Sequence, residues 1–554
     1  MTNDTTAIEG ARQSVSATDP YAREQQTFPV LTDDQIARLS DYGVAEDMDA
    51  GTILFERGQR GVDFFVVLEG SVEIYDLDDE GDPVIITVHG RHQFTGELDL
   101  FNKRTILVGG RTGGPSRLLR LTREQFRRMA STEQDIGEIV MRAFILRRTA
   151  FIVHSEAGVT LLGRGNDRDL LRINRFLMRN GYPVERLEPD SEAARRFVGD
   201  SGFDPDAGPV VRTPDGDVFF NPTTSELADR LGLTEELDPD HVYDLAVVGA
   251  GPAGLSACVY GASEALDTIV IEAEAPGGQA GTSSRIENYL GFPTGISGQA
   301  LAGRAWIQGQ KFGAKFAIAH NASSIRRDGD IVTVTTETRC DIRARAVILA
   351  CGATYRSIAL DDYEKYEGQS IHYAATALEA QFCAGTDVVV VGGGNSAGQA
   401  AVFLSAHAKH VHMLVRGPSL AASMSDYLVS RIEESRRITL HTNAELTALH
   451  GDRILQRATW STKTGDTVTR DVSNIFVMIG AVPNTAWMDD CVELDEKGFV
   501  VTGRDGSSPF QTSVPGIFAV GDVRSGSVKR VASGVGEGSV CISAVHAFLA
   551  ELNG

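Results

Sequence analysis

A chain of 554 residues exceeds what one hydrophobic core supports and, at roughly 100 to 200 residues per domain, calls for several domains. Its 42% hydrophobic and 23% charged residues include no apolar run of about 18 that would mark a membrane span, and residues 1–29 lack the pattern of a secretory signal, so a cytoplasmic protein with a loose polar tail is expected. A formal charge of −23 argues against nucleic-acid partners, and six cysteines without a C-x-x-C spacing argue against disulfide scaffolds and local zinc sites.

The first domain is expected over 30–150. Short runs alternate apolar and polar residues: Phe64-Phe65-Val66-Val67, Val72-Glu73-Ile74-Tyr75 and Val84-Ile85-Ile86-Thr87-Val88. Gly70 and Gly81 punctuate them, which reads as the antiparallel hairpins of a β-sandwich or jelly roll. A helical pattern over 133–150, with Ile136, Ile139, Val140, Ala143, Phe144 and Leu146 on one side, is a candidate dimerising helix. The segment Phe94-Thr95-Gly96-Glu97-Leu98 followed by Arg104-Thr105 resembles cyclic-nucleotide-binding domains. That resemblance implies an effector site of Gly96, Glu97 and Arg104, with the glutamate on a ribose hydroxyl and the arginine on the cyclic phosphate. Glu97 and Arg104 stand closer together than the family sets them, and Asp99 adds a negative charge to the cradle. Both features favour an unliganded sandwich, or one with another effector, over a cAMP or cGMP receptor.

A second rhythm runs over 157–233. A strand at 159–162 leads into a helix with Leu170, Leu171, Ile173, Phe176 and Leu177 inward, then come further strands at 210–211 and 218–220 and a helix from Ser225. The order resembles a small glutaredoxin or thioredoxin fold, with Pro209 where that family places a cis-proline. The family's redox cysteines are missing, and residues 1–257 hold no cysteine at all, so a structural or docking role is expected.

After an acidic linker at 232–241 the buried-strand pattern Tyr243-Asp244-Leu245-Ala246-Val247-Val248 runs into Gly249-Ala250-Gly251-Pro252-Ala253-Gly254 and an apolar helix. The three glycines serve a tight turn, the approach of a pyrophosphate and the packing of helix on strand, while the helix N-terminus offers free N–H groups to phosphate. A second strand ends at Glu272, placed to accept hydrogen bonds from a ribose diol. The unit repeats: a strand at 387–391, then Gly392-Gly393-Gly394-Asn395-Ser396-Ala397, a helix, and a strand closing at Arg416. An arginine there suits the 2′-phosphate of NADPH better than the free ribose of NADH.

Over 242–554 the residues resemble the bacterial-type thioredoxin reductases. The matching segments are Pro276-Gly277-Gly278-Gln279, Ile286-Glu287-Asn288-Tyr289-Leu290-Gly291, Ile348-Leu349-Ala350-Cys351-Gly352-Ala353, Gly516-Ile517-Phe518-Ala519-Val520-Gly521-Asp522 and Arg530-Val531-Ala532. The resemblance implies an FAD domain of 242–357 plus 480–554, with an NAD(P) domain of 358–479 inserted. It assigns FAD to Gly249, Gly251, Pro252, Ala253, Gly254, Glu272, Gly278, Gln279, Ser284, Asn288, Gly352, Asp522, Arg530, Val531 and Ala532. It assigns NADPH to Gly392, Gly394, Asn395, Ser396, Ala397 and Arg416. No metal is expected. The expected architecture is therefore multidomain: a sandwich, a small α/β thioredoxin-like domain and two Rossmann-like domains.

Where thioredoxin reductases carry C-A-T-C, this chain reads Tyr373-Ala374-Ala375-Thr376-Ala377, so Ala374 and Ala377 replace both thiols. An alanine methyl can neither attack a disulfide nor be oxidised. Val415, Gly417 and Ala421 fall where that family has a histidine and two further arginines. Three readings stay open: an FAD-dependent NAD(P)H oxidoreductase serving an external acceptor, a non-catalytic flavin- or nucleotide-sensing module, and a disulfide reductase with another cysteine pair. A homodimer without membrane or nucleic-acid partners is expected in each.

Overall fold

The computed structural model describes residues 20–553 except 78–80, 102–103, 155–157, 166, 199–206, 236, 284, 368, 374, 376, 422, 453, 464, 489–490, 505 and 507. The chain divides into two compact units, Met1–Glu235 and Glu236–Gly554, the boundary falling inside the acidic linker.

In the first unit, α1 (Glu24–Thr27) and α2 (Asp33–Ser40) precede β1 (Val44–Met48), β2 (Ile53–Phe55), β3 (Phe64–Glu69), β4 (Val72–Leu77), β5 (Pro83–His89), β6 (Gly109–Thr112) and β7 (Ser116–Leu121). These pair antiparallel in two sheets, β1-β7-β3 and β2-β6-β4-β5, as the alternation predicts. Helices α3 (Arg123–Thr132) and α4 (Gln134–His154) follow, α3 opened by a capping box of Thr122 with Gln125. The face of α4 that carries Ile136, Val140, Ala143 and Phe144 is buried within its own unit, and Phe64 packs there at tilted and edge-on angles against Phe94, Phe126 and Phe144. Residues 20–28, expected in the loose tail, are ordered instead: Thr27 is buried, its hydroxyl donates to Pro20 O at 2.7 Å, and Arg147 Nε on α4 donates to Thr27 O at 3.0 Å.

The remainder of this unit is β8 (Val159–Leu162), α5 (Arg168–Arg179), β9 (Val184–Leu187), α6 (Glu192–Val198), β10 (Val210–Arg212), β11 (Val218–Phe220) and α7 (Thr224–Arg230). Leu170, Ile173, Phe176 and Leu177 bury one stripe of α5, whose first turn is capped by Asp167. The sheet order is β11-β10-β8-β9, with β8 and β9 parallel and the other pairs antiparallel. No peptide bond among the described residues is cis, so the bond before Pro209 is trans, contrary to the expectation.

The second unit opens with β12 (Val242–Val248), α8 (Pro252–Ser263), β13 (Thr268–Glu272), α9 (Gly298–Lys311), β14 (Lys315–Ile318), β15 (Ala322–Asp328), β16 (Ile331–Thr336) and β17 (Asp341–Leu349). A crossing, β18 (Ala353–Tyr355), leads to α10 (Tyr363–Tyr366), β19 (Ile371–His372), α11 (Ala377–Gln381), β20 (Asp387–Val391), α12 (Asn395–Ser405), β21 (His410–Val415), α13 (Asp426–Glu434) and β22 (Ile438–Thr442). The hairpins β23 (Ala444–His450), β24 (Arg457–Thr462) and β25 (Thr467–Asp471) precede β26 (Asn474–Val477). The chain returns through β27 (Ala481–Pro483), antiparallel to β18, to β28 (Ile517–Ala519) and α14 (Val531–Asn553). One sheet therefore runs β14-β13-β12-β17 in parallel, with β28 parallel to β17, and a second, all parallel, runs β19-β26-β20-β21-β22. Among the described helices α14 is long and apolar enough to cross a bilayer by length and composition, a test that the core helix of a soluble protein also passes. Its glycine side lies on α8, where a Cβ at Gly538 would stand 2.2 Å from Ala253 O.

Candidate functional site

Because β12, β13, β17 and β28 are parallel, their carboxyl ends lie along one sheet edge, where open α/β sheets bind ligands. Gly249, Glu272, Gly352 and Asp522 all follow or end these strands. Gly249 has φ +102°, and a Cβ there would lie 2.5 Å from Ala350 O, so the turn requires glycine. Gly254 packs the helix on its own turn, a Cβ meeting Gly249 O at 1.9 Å. Gly251 is the N-cap of α8 and has space: a Cβ there would meet only Gly278 Cα, at 4.0 Å. The converse distance from Gly278 is 3.0 Å, so two bare backbones face each other over the helix N-terminus, with Gly277 N–H bonded to Ala250 O at 2.7 Å. A pyrophosphate fits this cradle, and side chains at either glycine would fill it.

Glu272 accepts from Ala250 N–H at 2.7 Å through one oxygen and from Glu274 N–H at 3.0 Å through the other. A carboxylate has about four lone-pair positions, which leaves acceptor capacity for a ribose diol. Gln279 Nε2 donates to Ala353 O, tying the 276–279 loop to the start of β18. Asp522 approaches the same cradle: a Cβ on neighbouring Gly521 would lie 2.8 Å from Ala253 Cβ. Burial pushes the Asp522 carboxyl above the ordinary range, with Lys529 opposing and Glu537 adding. Arg530 is exposed at the start of α14, and Val531 and Ala532 are its first helical residues, one turn before the Gly534 contact with Ala253. Asn288 is exposed, and Ser284 lies outside the described residues.

Sequence reasoning missed the support beneath Asp522. Glu537, on α14, accepts from Gly521 N–H at 2.6 Å and pairs with Arg524 at 2.7 Å. Burial acts to raise the Glu537 carboxyl, but Arg524 and Gly521 hold it below its ordinary value. An acid inside the glycine-rich apolar run 531–553 was the available signal.

The second turn repeats the first. A Cβ at Gly392 would stand 2.2 Å from Met478 O, and Gly394 is the N-cap of α12. Ala397, in the third glycine's place, is buried and leaves 3.1 Å to that same Cβ position. Asn395 Oδ1 accepts from Ser425 N–H at 2.7 Å and Ser423 Oγ donates to Gly393 O at 2.8 Å, so the 423–425 segment lies over this turn. Ser396, like Asn395, is exposed in the first turn of α12, and Arg416 is exposed at the end of β21, where a 2′-phosphate would sit.

Ala374 lies outside the described residues, and α11 begins at Ala377. All six cysteines are free. Burial pushes every one of their thiols up, Cys351 and Cys383 to about 12 and Cys258, Cys340, Cys491 and Cys541 in the same direction. Cys351 Sγ donates to Asn484 O at 3.2 Å, and Asn484 Nδ2 donates back to Cys351 O at 2.8 Å, which pins the crossing between the two nucleotide domains.

In the first unit the expected effector constellation does not assemble. Gly96 and Glu97 line the inside of the roll, but Arg104 turns away: it is buried, donates to Asn180 O at 3.2 Å and lies 5.8 Å from the Tyr182 ring. Glu97 pairs with Arg148 Nε, and Asp99 receives Arg148 Nη2 on both oxygens at 2.9 Å. Burial, opposed by Arg148, pushes the Glu97 carboxyl up to about 8. The phosphate-binding role for Arg104 is therefore corrected, because its guanidinium is used within the fold.

The sequence model of the pyridine nucleotide-disulphide oxidoreductases matches residues 243–538, and that of the cyclic nucleotide-binding domain matches 46–133. The thioredoxin reductase of Bacillus subtilis (strain 168) is 30% identical over 318 residues, covering 57% of this chain and 98% of that protein. That of Mycolicibacterium smegmatis is 33% identical over 312 residues, covering 56% and 97%. Among solved structures, Lactococcus lactis thioredoxin reductase in its FR conformation superposes with a TM-score of 0.52 at 27% identity, covering 56% of this chain and 99% of that one. T. acidophilum thioredoxin reductase gives 0.52 at 29%, with the same coverage.

Proposed function

The chain belongs to the pyridine nucleotide-disulphide oxidoreductase family, as a thioredoxin reductase-like flavoprotein with an N-terminal cyclic nucleotide-binding domain, and from there we propose that it carries electrons from NADPH through FAD to an external acceptor without an active-site dithiol. FAD belongs in the first cradle and NADPH in the second. Bound FAD supplies a ring that takes a hydride from NADPH and releases electrons to an acceptor. Gly251 and Gly278 leave room for its pyrophosphate, Glu272 orients the ribose and Asp522 the ribityl chain; Arg416 selects the 2′-phosphate.

The observation that carries this reading is the sequence Tyr373-Ala374-Ala375-Thr376-Ala377 where the relatives' redox cysteines would stand. The cysteines that remain support it, since a thiol held protonated by burial neither attacks a disulfide nor relays electrons. The acceptor is then a small molecule or a redox protein that meets the flavin directly. The roll and the small thioredoxin-like domain, a reading that the order β11-β10-β8-β9 supports, gate or dock that acceptor, and the active form is a homodimer.

Anaerobic mixing of the full-length yellow protein with NADPH tests the reading. Rapid bleaching, reoxidation by quinone or oxygen, and no turnover of thioredoxin are expected. Bleaching followed by thioredoxin reduction would refute the dithiol-free route, and no bleaching would favour a sensor without turnover.

A further inference from the structure

The roll encloses a cavity that the redox reading does not use. Its empty volume, space open to solvent included, is about 660 Å³. The walls are largely apolar, with Phe28, Phe55, Ile74, Ile106 and Phe151 among them, and Tyr21 and Phe28 of the ordered 20–28 segment close one side. Besides the Tyr21 phenol, the ionisable side chains on its walls are Glu97, His89, Arg147 and Asp99, the last of which Arg148 already holds. Glu97 too is occupied by Arg148.

The other two are not satisfied. Arg147 is 6% exposed; Nε donates to Thr27 O at 3.0 Å, Nη1 donates to Gly96 O at 2.9 Å, and Nη2 has no hydrogen-bond partner. The rings of Phe94 at 4.9 Å, Phe28 at 5.4 Å and Phe144 at 5.9 Å lie around it. Burial, opposed by Glu97, lowers its pKa to about 9, which still leaves it charged at neutral pH. His89 is 2% exposed with Nδ1 unpartnered, and burial together with Arg147 holds the ring neutral. A buried guanidinium whose hydrogen bonds go only to carbonyls, and whose nearby carboxylate Glu97 is held by Arg148, keeps one buried donor without a partner.

We propose that this cavity binds an apolar monocarboxylate, its hydrocarbon among the aromatic and branched side chains and its carboxylate at Arg147 Nη2 and His89 Nδ1. A cyclic nucleotide is the poorer occupant, because Arg104 points elsewhere, Arg148 takes Glu97, and the walls offer few partners to a purine and a ribose. The inference stands independently of the redox reading, since binding is measured without turnover.

Calorimetric titration of the full-length protein with decanoate, decanol and cAMP tests it. Decanoate should bind at micromolar concentration, decanol about tenfold more weakly for want of the charged hydrogen bonds, and cAMP not at all. Arg147→Leu should bring decanoate down to the affinity of decanol. Because Arg147 also ties Thr27 and Gly96, Val108→Phe serves as a second variant: it fills the cavity with those ties intact and should abolish binding of both. Equal affinity for decanoate and decanol, undiminished binding to Val108→Phe, no heat with decanoate, or cAMP binding more tightly than decanoate would each overturn the proposal.

Discussion

Two anion cradles in this chain are built of different material. At 249–254 the contacts come from backbone: a glycine turn, a helix N-terminus and the bare Gly278 opposite, all fixed by the parallel sheet beneath. At 96–104 they would have to come from two side chains converging on one point, and Arg104 and Glu97 have each found a partner inside the fold instead. Backbone sites survive divergence because the chain path cannot turn away without losing the strand, whereas an arginine needs only a rotamer change to leave a ligand. The second glycine turn stands between the two, its backbone half retained and its side-chain half reduced to Arg416.

The sharpest break of this comparison is Gly251→Asp. There is room for the side chain, so the protein should fold normally, but the carboxylate would occupy and repel the pyrophosphate and flavin binding should vanish. Flavin absorbance after desalting, with circular dichroism as control, measures it; a yellow variant would contradict the cradle. Next is Arg416→Ala, which should raise KM for NADPH by about tenfold, the worth of a charge-assisted hydrogen bond, and leave KM for NADH nearly unchanged. Equal effects on both would make the arginine a solvated surface group.

A smaller effect concerns Glu97. Its carboxyl is raised to about 8 in the folded protein, so the native state binds the extra proton above the ordinary carboxylate pKa. Its contribution to stability is therefore greatest below that ordinary value and is lost as pH rises towards about 8. The melting temperature of the first unit should fall over that window, and Glu97→Gln should flatten the slope; an unchanged slope would show that Glu97 is not the titrating group. The smallest expected effect is none at all: calorimetry with cGMP should give no heat, and micromolar binding lost on Glu97→Ala would restore the nucleotide cradle.

The glycine turns were legible in the sequence because each demands a residue without Cβ at a fixed spacing between strand and helix. The sandwich was legible from its two-residue alternation. The direction of Arg104 was not legible, because spacing carries no information about which way a long side chain turns. Glu537 beneath Gly521, and Arg147 and His89 inside the roll, were invisible because their partners lie far away in sequence and only the folded chain brings them together. Residues 20–28 passed for tail because their polar letters hide contacts made through backbone carbonyls, such as Thr27 O with Arg147.

The central claim is that electrons leave the flavin without a thiol pair. Its most direct test replaces all six cysteines by serine or alanine and follows both half-reactions by stopped-flow absorbance in a variant shown to be folded. Reduction by NADPH and reoxidation by quinone should both proceed at close to the wild-type rates. If reduction survives while reoxidation collapses, a cysteine pair is the exit and the chain is a disulfide reductase after all.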